Sequence, residues 1–146
     1  MSAKSSVAAG GGASTIAPGL KASLPFSVGE TEMTMFASLS GDRNPLHLDA
    51  DFARRNGFAG RVVYGGLLVA MISRLIGMEL PTRKLLWTRI ALDFRAPLYV
   101  DEEAMLSAEV VGLAEAARAA RLRITIGAED RIIATGFAEL ALLGDA

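Results

Sequence analysis

Residues 39–78 read LSGDRNPLHLDADFARRNGFAGRVVYGGLLVAMISRLIGM, and the second half of this stretch decides the fold. Leu67, Leu68, Ala70, Met71, Ile72, Leu75 and Ile76 cover most of the circumference of a helix predicted over 64–78, so that helix belongs inside the protein. Gly65 and Gly66 flank its start, and Pro81 lies just beyond its end. The first half is polar. It carries Asp42, Asn44 and His47 in a loop over 42–49, where Asn44-Pro45 favours a turn. About two helical turns over 50–56, closed near Gly57, lead from that loop toward the long helix.

Upstream, Leu20, Ala22, Leu24, Phe26 and Val28 alternate with other residues, which predicts a half-buried strand over 20–28. Pro25 puts that strand at an edge or at a bulge. A short helix opening at Glu30 and Thr31, with Met33, Phe36 and Leu39 on one side, should end at Gly41. Downstream, Leu86, Thr88, Ile90, Leu92 and Phe94 mark one face of a long strand, against Trp87, Arg89, Asp93 and Arg95 on the other. A strand over 103–111 turns Ala104, Leu106, Ala108 and Val110 inward; Leu122, Ile124 and Ile126 define the next, and 131–143 the last. Short links such as GAEDR at 127–131 predict that consecutive strands pair as antiparallel hairpins. The sum is an α+β architecture, one buried helix packed on a curved antiparallel sheet of about five strands.

The 146 residues fit one domain, expected over 19–146, behind a glycine-rich tail over 1–18 in which Gly10, Gly11 and Gly12 interrupt any secretory apolar core. A net charge of −1 provides no field for nucleic acid or an anionic membrane surface. The longest apolar run, 67–76, contains Ser73 and Arg74 and is too short to span a bilayer. With no cysteine and one histidine, thiolate chemistry and a multi-histidine metal site within one chain are excluded. A cytoplasmic protein without a metal is expected.

Chemistry then rests on few groups. His47 is the only histidine, five positions after Asp42, and an aspartate and an imidazole converging on one water can polarise it and move its proton. Read without further context, Asp42 is better taken as a turn cap and His47 as a surface loop residue, because aspartate–histidine pairs at loose spacing are common. The N–H groups of Gly65 and Gly66 at a helix N-terminus suit an oxyanion, or the glycines serve close packing. Ser73 either meets a substrate or bonds back to its own helix. Arg83, Lys84, Arg89 and Arg95 are candidates for phosphate contacts, or simply a solvated sheet edge.

The run FASLSGDRNPLHLDADFARRNGFAGRVVYGGLL at 36–68, followed by SRLIG at 73–77, resembles the MaoC-like dehydratases and (R)-specific enoyl-CoA hydratases. Their motif reads aspartate, any residue, then asparagine-proline-leucine-histidine. FRAPLYVDEE at 94–103 resembles the family's phenylalanine–proline strand after the central helix. The resemblance implies a hot-dog fold, with the sheet wrapped round the long helix, in a homodimer or higher homo-oligomer. It implies addition or removal of water across C2–C3 of an acyl thioester carried by coenzyme A or an acyl carrier protein. Asp42 and His47 would activate the water, the N–H of Gly65 would stabilise the thioester oxygen, and Asn44, Ser73 and Tyr64 would support the site. Coenzyme A or pantetheine then enters as part of the substrate, and no other cofactor is required. Tyr64 is a departure, because many relatives have histidine there; tyrosine keeps a hydrogen-bonding tip but does not titrate near neutral pH. A hot-dog thioesterase would place an acid on or near the central helix, and 64–78 has none. A non-catalytic acyl-binding protein on the same scaffold is the other reading, against which Asp42 and His47 speak.

Overall fold

The computed structural model describes residues 15–144. Five strands form one antiparallel sheet: β1 (Lys21–Phe26), β2 (Leu85–Phe94), β3 (Ala104–Ala114), β4 (Ala119–Ala128) and β5 (Arg131–Leu142). The spatial order is β1-β3-β4-β5-β2. Hairpins join β3 to β4 and β4 to β5, but the expectation that all consecutive strands pair fails at β2. Residues 95–103 carry the chain back from β2 toward β1, tied by Val63 N–H to Leu98 C=O and by Asp101 N–H to Val28 C=O, both at 2.8 Å. So β2 pairs with β5 at one edge and β1 pairs with β3 at the other. Pro25 sits on an edge strand, where its missing N–H costs the ladder little.

Alternation fills the core. Leu106, Ala108 and Val110 of β3 and Leu122, Ile124 and Ile126 of β4 are buried, with Leu24 and Phe26 of β1 beside them. Against this face lies α4 (Gly65–Arg74), which contributes Leu67, Leu68, Met71 and Ile72 to the same cluster. Each such side chain taken from water is worth about 1.5–3 kcal/mol, so this packing holds the helix in place. The helix expected over 64–78 changes pitch near its end, where Leu75–Glu79 form a π-helical turn. Its circumference is not wholly covered: Gly66, Ala70 and Ser73 are exposed, because the sheet lies on one side only. The arrangement is the hot-dog architecture, with the sheet open rather than closed.

Several local expectations need correction. Helix α1 (Glu30–Ser40) ends at Gly41, whose φ of 75° only glycine adopts freely, but it buries Met33 and Ala37 rather than a Met33–Leu39 stripe. Six residues at 100° each turn Leu39 about 120° away from Met33, and it is 86% exposed. The loop expected over 42–49 contains a helical turn, α2 (Pro45–Leu48), capped by Asn44 Oδ1 accepting from Leu46 N–H at 3.0 Å. Asp49 then caps α3 (Ala50–Arg55). Along β2 a register shift between Trp87 and Arg89 breaks the alternation, and Leu86, Ile90 and Phe94 remain exposed. Of the tail expected over 1–18, the first fourteen residues lie outside the described residues. Ile16 is buried in the core, and Gly19 N–H donates to Val110 C=O at 2.8 Å.

Candidate active site

Two neighbouring segments build the site: the α2 turn, which carries His47, and the N-terminus of α4. Pro45 and the Asn44 cap set the direction of the turn. His47 Nδ1 lies 2.7 Å from the carbonyl oxygen of Val62. A carbonyl only accepts, so Nδ1 carries a proton, and the tautomer this selects has its lone pair on Nε2. The imidazole is half-buried and stacks on Tyr64, ring centroids 4.1 Å apart.

Tyr64 is buried and joins the two expected catalytic residues by different means. Its ring holds the imidazole, and its hydroxyl donates to the backbone carbonyl of Asp42 at 2.6 Å. Burial, reinforced by the Asp42 carboxylate, pushes the phenol above its ordinary value of 10, so the hydroxyl stays protonated as a donor. Phe36 of α1 packs on the Tyr64 ring at 4.6 Å. Asp42 itself is exposed, and its Oδ1 accepts from Asn44 N–H at 3.0 Å, an Asx turn at the mouth of α2.

A pocket of about 420 Å³ opens between α4 and the segment after β2. His47, Gly65, Leu68, Phe94, Arg95 and Leu98 are among its lining residues. Gly65 begins α4, ahead of the first helical hydrogen bond from Leu67 N–H to Tyr64 C=O. The N–H groups of Gly65 and Gly66 come before that bond, at the positive end of the helix. A methyl group on Gly65 would lie 3.1 Å from Phe94 Cζ, so the glycine admits that ring close to the helix terminus. His47, Tyr64 and Gly65 are thus brought together, with Asn44 and Asp42 attached through the α2 turn. Asp42 is outside the pocket lining. Ser73 is not brought to it: it is exposed, about 12 Å along the helix from Gly65.

The four basic candidates separate. Arg95 lines the pocket and its Nε donates to Thr135 Oγ1 at 2.7 Å. Arg83 instead caps carbonyls of Leu80 and Met78, beside Lys84, and Arg89 lies 3.7 Å from Glu139. Among the described residues no three acidic or histidine side chains gather to hold a metal ion. No helix there is long and apolar enough to cross a membrane. Two contributors were not read from the sequence. Val62 acts through its carbonyl, which no side-chain pattern reveals. Arg61 sits inside the motif run but has no spacing that marks it.

Comparisons with known proteins agree with this geometry. The family model for the MaoC like domain matches residues 13–140. An (R)-specific enoyl-CoA hydratase of Aeromonas caviae is 38% identical over 103 residues, 70% of this chain and 77% of that protein. A 3-hydroxybutyryl-CoA dehydratase of Methylorubrum extorquens is 32% identical over 118 residues, 81% of this chain and 75% of that protein. Among solved structures, the A. caviae (R)-hydratase involved in PHA biosynthesis superposes with a TM-score of 0.83 at 35% identity, covering 89% of this chain and 99% of that one.

Proposed function

The chain belongs to the MaoC-like domain family, and from that premise we propose that it adds water to, or removes it from, the C2–C3 bond of an acyl thioester, with (R) configuration at the hydroxyl carbon. Its curated relatives are hydro-lyases, and it is an enzyme of that kind. The observation that carries the reading is the Val62 carbonyl on Nδ1 of His47, which leaves Nε2 as a base beside a pocket that Gly65 also lines. In the hydration direction the thioester oxygen rests on the Gly65 N–H, which stabilises the negative charge that develops there. Water held by Asp42 and His47 bonds to C3 through its oxygen. The proton it gives up ends on C2, passed by His47 directly or through Asp42. Tyr64 and Asn44 hold the pair in place. Coenzyme A or a carrier's pantetheine arm is part of the substrate, and no further cofactor is used.

A second copy of the chain completes the particle in the cytoplasm. The free edge of β2 carries the exposed Leu86, Ile90 and Phe94, and Phe94 reaches Gly65, so a partner pairing along β2 would border the pocket. Sedimentation of the purified chain tests that assembly. For the reaction, the test is loss of enoyl absorbance with crotonyl-CoA and longer trans-2-enoyl-CoAs, with product chirality determined. An (R)-3-hydroxyacyl product supports the reading. No turnover by folded protein on any chain length sinks the acyl-CoA hydratase.

A further inference from the structure

His47 is held from outside its own turn by two consecutive residues on the approach to α4. Val62 C=O accepts from the imidazole at 2.7 Å, and Val62 N–H donates to Leu46 C=O at 3.2 Å. Arg61 adds the third hold. Its Nε donates to the backbone carbonyl of His47 at 2.8 Å, while both Nη atoms reach the carboxylate of Glu30 in the first turn of α1. The Arg61 side chain is only 20% exposed, and its own carbonyl accepts from Val100 N–H at 3.2 Å. One guanidinium therefore joins α1, α2 and the segment entering α4. The α2 turn has four residues, too few to keep its shape unaided, so its orientation depends on such outside contacts.

We propose that Arg61 is a positioning residue for His47, anchored by Glu30, that keeps the imidazole presenting Nε2 to the pocket. This rests on the reading of His47 as the base. The geometry requires arginine: the planar fork serves the His47 carbonyl with Nε and Glu30 with its Nη atoms, in two directions at once. A lysine ammonium can satisfy one of these sites but not both along the same stem. The link is indirect, through the backbone of α2, so the residue acts on geometry and not on the substrate.

The test uses untagged full-length protein, because His47 is then the only histidine and its imidazole NMR signals stand alone. Arg61→Met, Arg61→Lys and Glu30→Gln are compared with wild type. Both Arg61 variants should shift the imidazole resonances and the midpoint of their pH titration. They should lower kcat by about 10- to 100-fold and leave KM within about twofold. Glu30→Gln, which keeps the Arg61–His47 hydrogen bond, should fall between them and wild type. An imidazole spectrum and titration like wild type in the Arg61 variants overturns the proposal, whatever happens to kcat. Should Arg61→Met fail to fold, Arg61→Lys decides in the same way. A wild type inactive on every thioester would sink the functional reading alone, and the spectra would still decide the role of Arg61.

Discussion

The phenol ring of Tyr64 lies on the imidazole of His47, their centroids 4.1 Å apart and their planes 28° from parallel. The same side chain donates its hydroxyl to Asp42 C=O at 2.6 Å, so one residue fixes both members of the proposed acid–base pair. Tyr64→Phe keeps the stack and removes the hydroxyl. It should cost about 1 kcal/mol in urea denaturation and loosen Asp42. Tyr64→Ala also empties a buried site, and should cost about 3–5 kcal/mol.

Gly66 is exposed on α4, yet it has no room for a side chain. A Cβ there would fall 2.7 Å from Phe36 Cε2, and Phe36 is itself packed on Tyr64. Gly66→Ala should therefore lower stability by about 1–3 kcal/mol. Adding Phe36→Leu should recover part of that loss, measured as the shift in denaturation midpoint. If the single variant is as stable as wild type, Phe36 does not press on the start of α4.

Gly136 of β5 faces the backbone of β2. A Cβ at this position would lie 2.9 Å from Ala91 C and from Leu92 Cα, atoms that cannot turn aside. Gly136→Ala should cost about 3 kcal/mol, because the β2–β5 ladder must part. Gly112→Ala is the control: its Cβ would sit 3.8 Å from Arg121 Cβ, and stability should stay within about 0.5 kcal/mol of wild type.

Glu30 and Tyr64, beside Asp130 and Arg131, are among the groups whose shifts shape the pH dependence of stability. The hydrogen bond from Arg61 holds the Glu30 carboxyl below its usual 4.5, so its contribution is present above that value and is lost as pH falls through the lowered one. The pair is largely exposed on the Glu30 side, which limits this contribution to less than about 1 kcal/mol. Tyr64 works in the opposite sense. Its raised value means that stability is intact below pH 10 and declines above it, as the unfolded chain ionises first. Denaturation midpoints measured from acid to alkaline pH should show the alkaline decline in wild type and a weaker one in Tyr64→Phe.

How much of this was legible beforehand follows from range. Alternation along 104–110 and 122–126 depends on neighbours two residues apart, and those strands lie where the pattern places them. The Gly41 and Gly57 stops are local too, each at positive φ. What sequence could not give is pairing between distant segments: β2 joins β5 because residues 95–103 fold back, a choice made by contacts to Val28 and Val63. The site divides in the same way. Asp42, Asn44 and His47 were visible as a spaced set, whereas Val62 and Arg61 act through backbone carbonyls fourteen or fifteen residues from their partner, and chemistry at a carbonyl leaves no trace in residue type.

The most direct test of the central claim is kcat on crotonyl-CoA for wild type beside His47→Ala and Asp42→Asn, each shown to be folded. Wild type should turn over to the (R)-3-hydroxy product, and each variant should lose about 10²- to 10⁴-fold in kcat. A His47→Ala enzyme that retains kcat within a few-fold of wild type would contradict that claim, since no other histidine exists to take the proton.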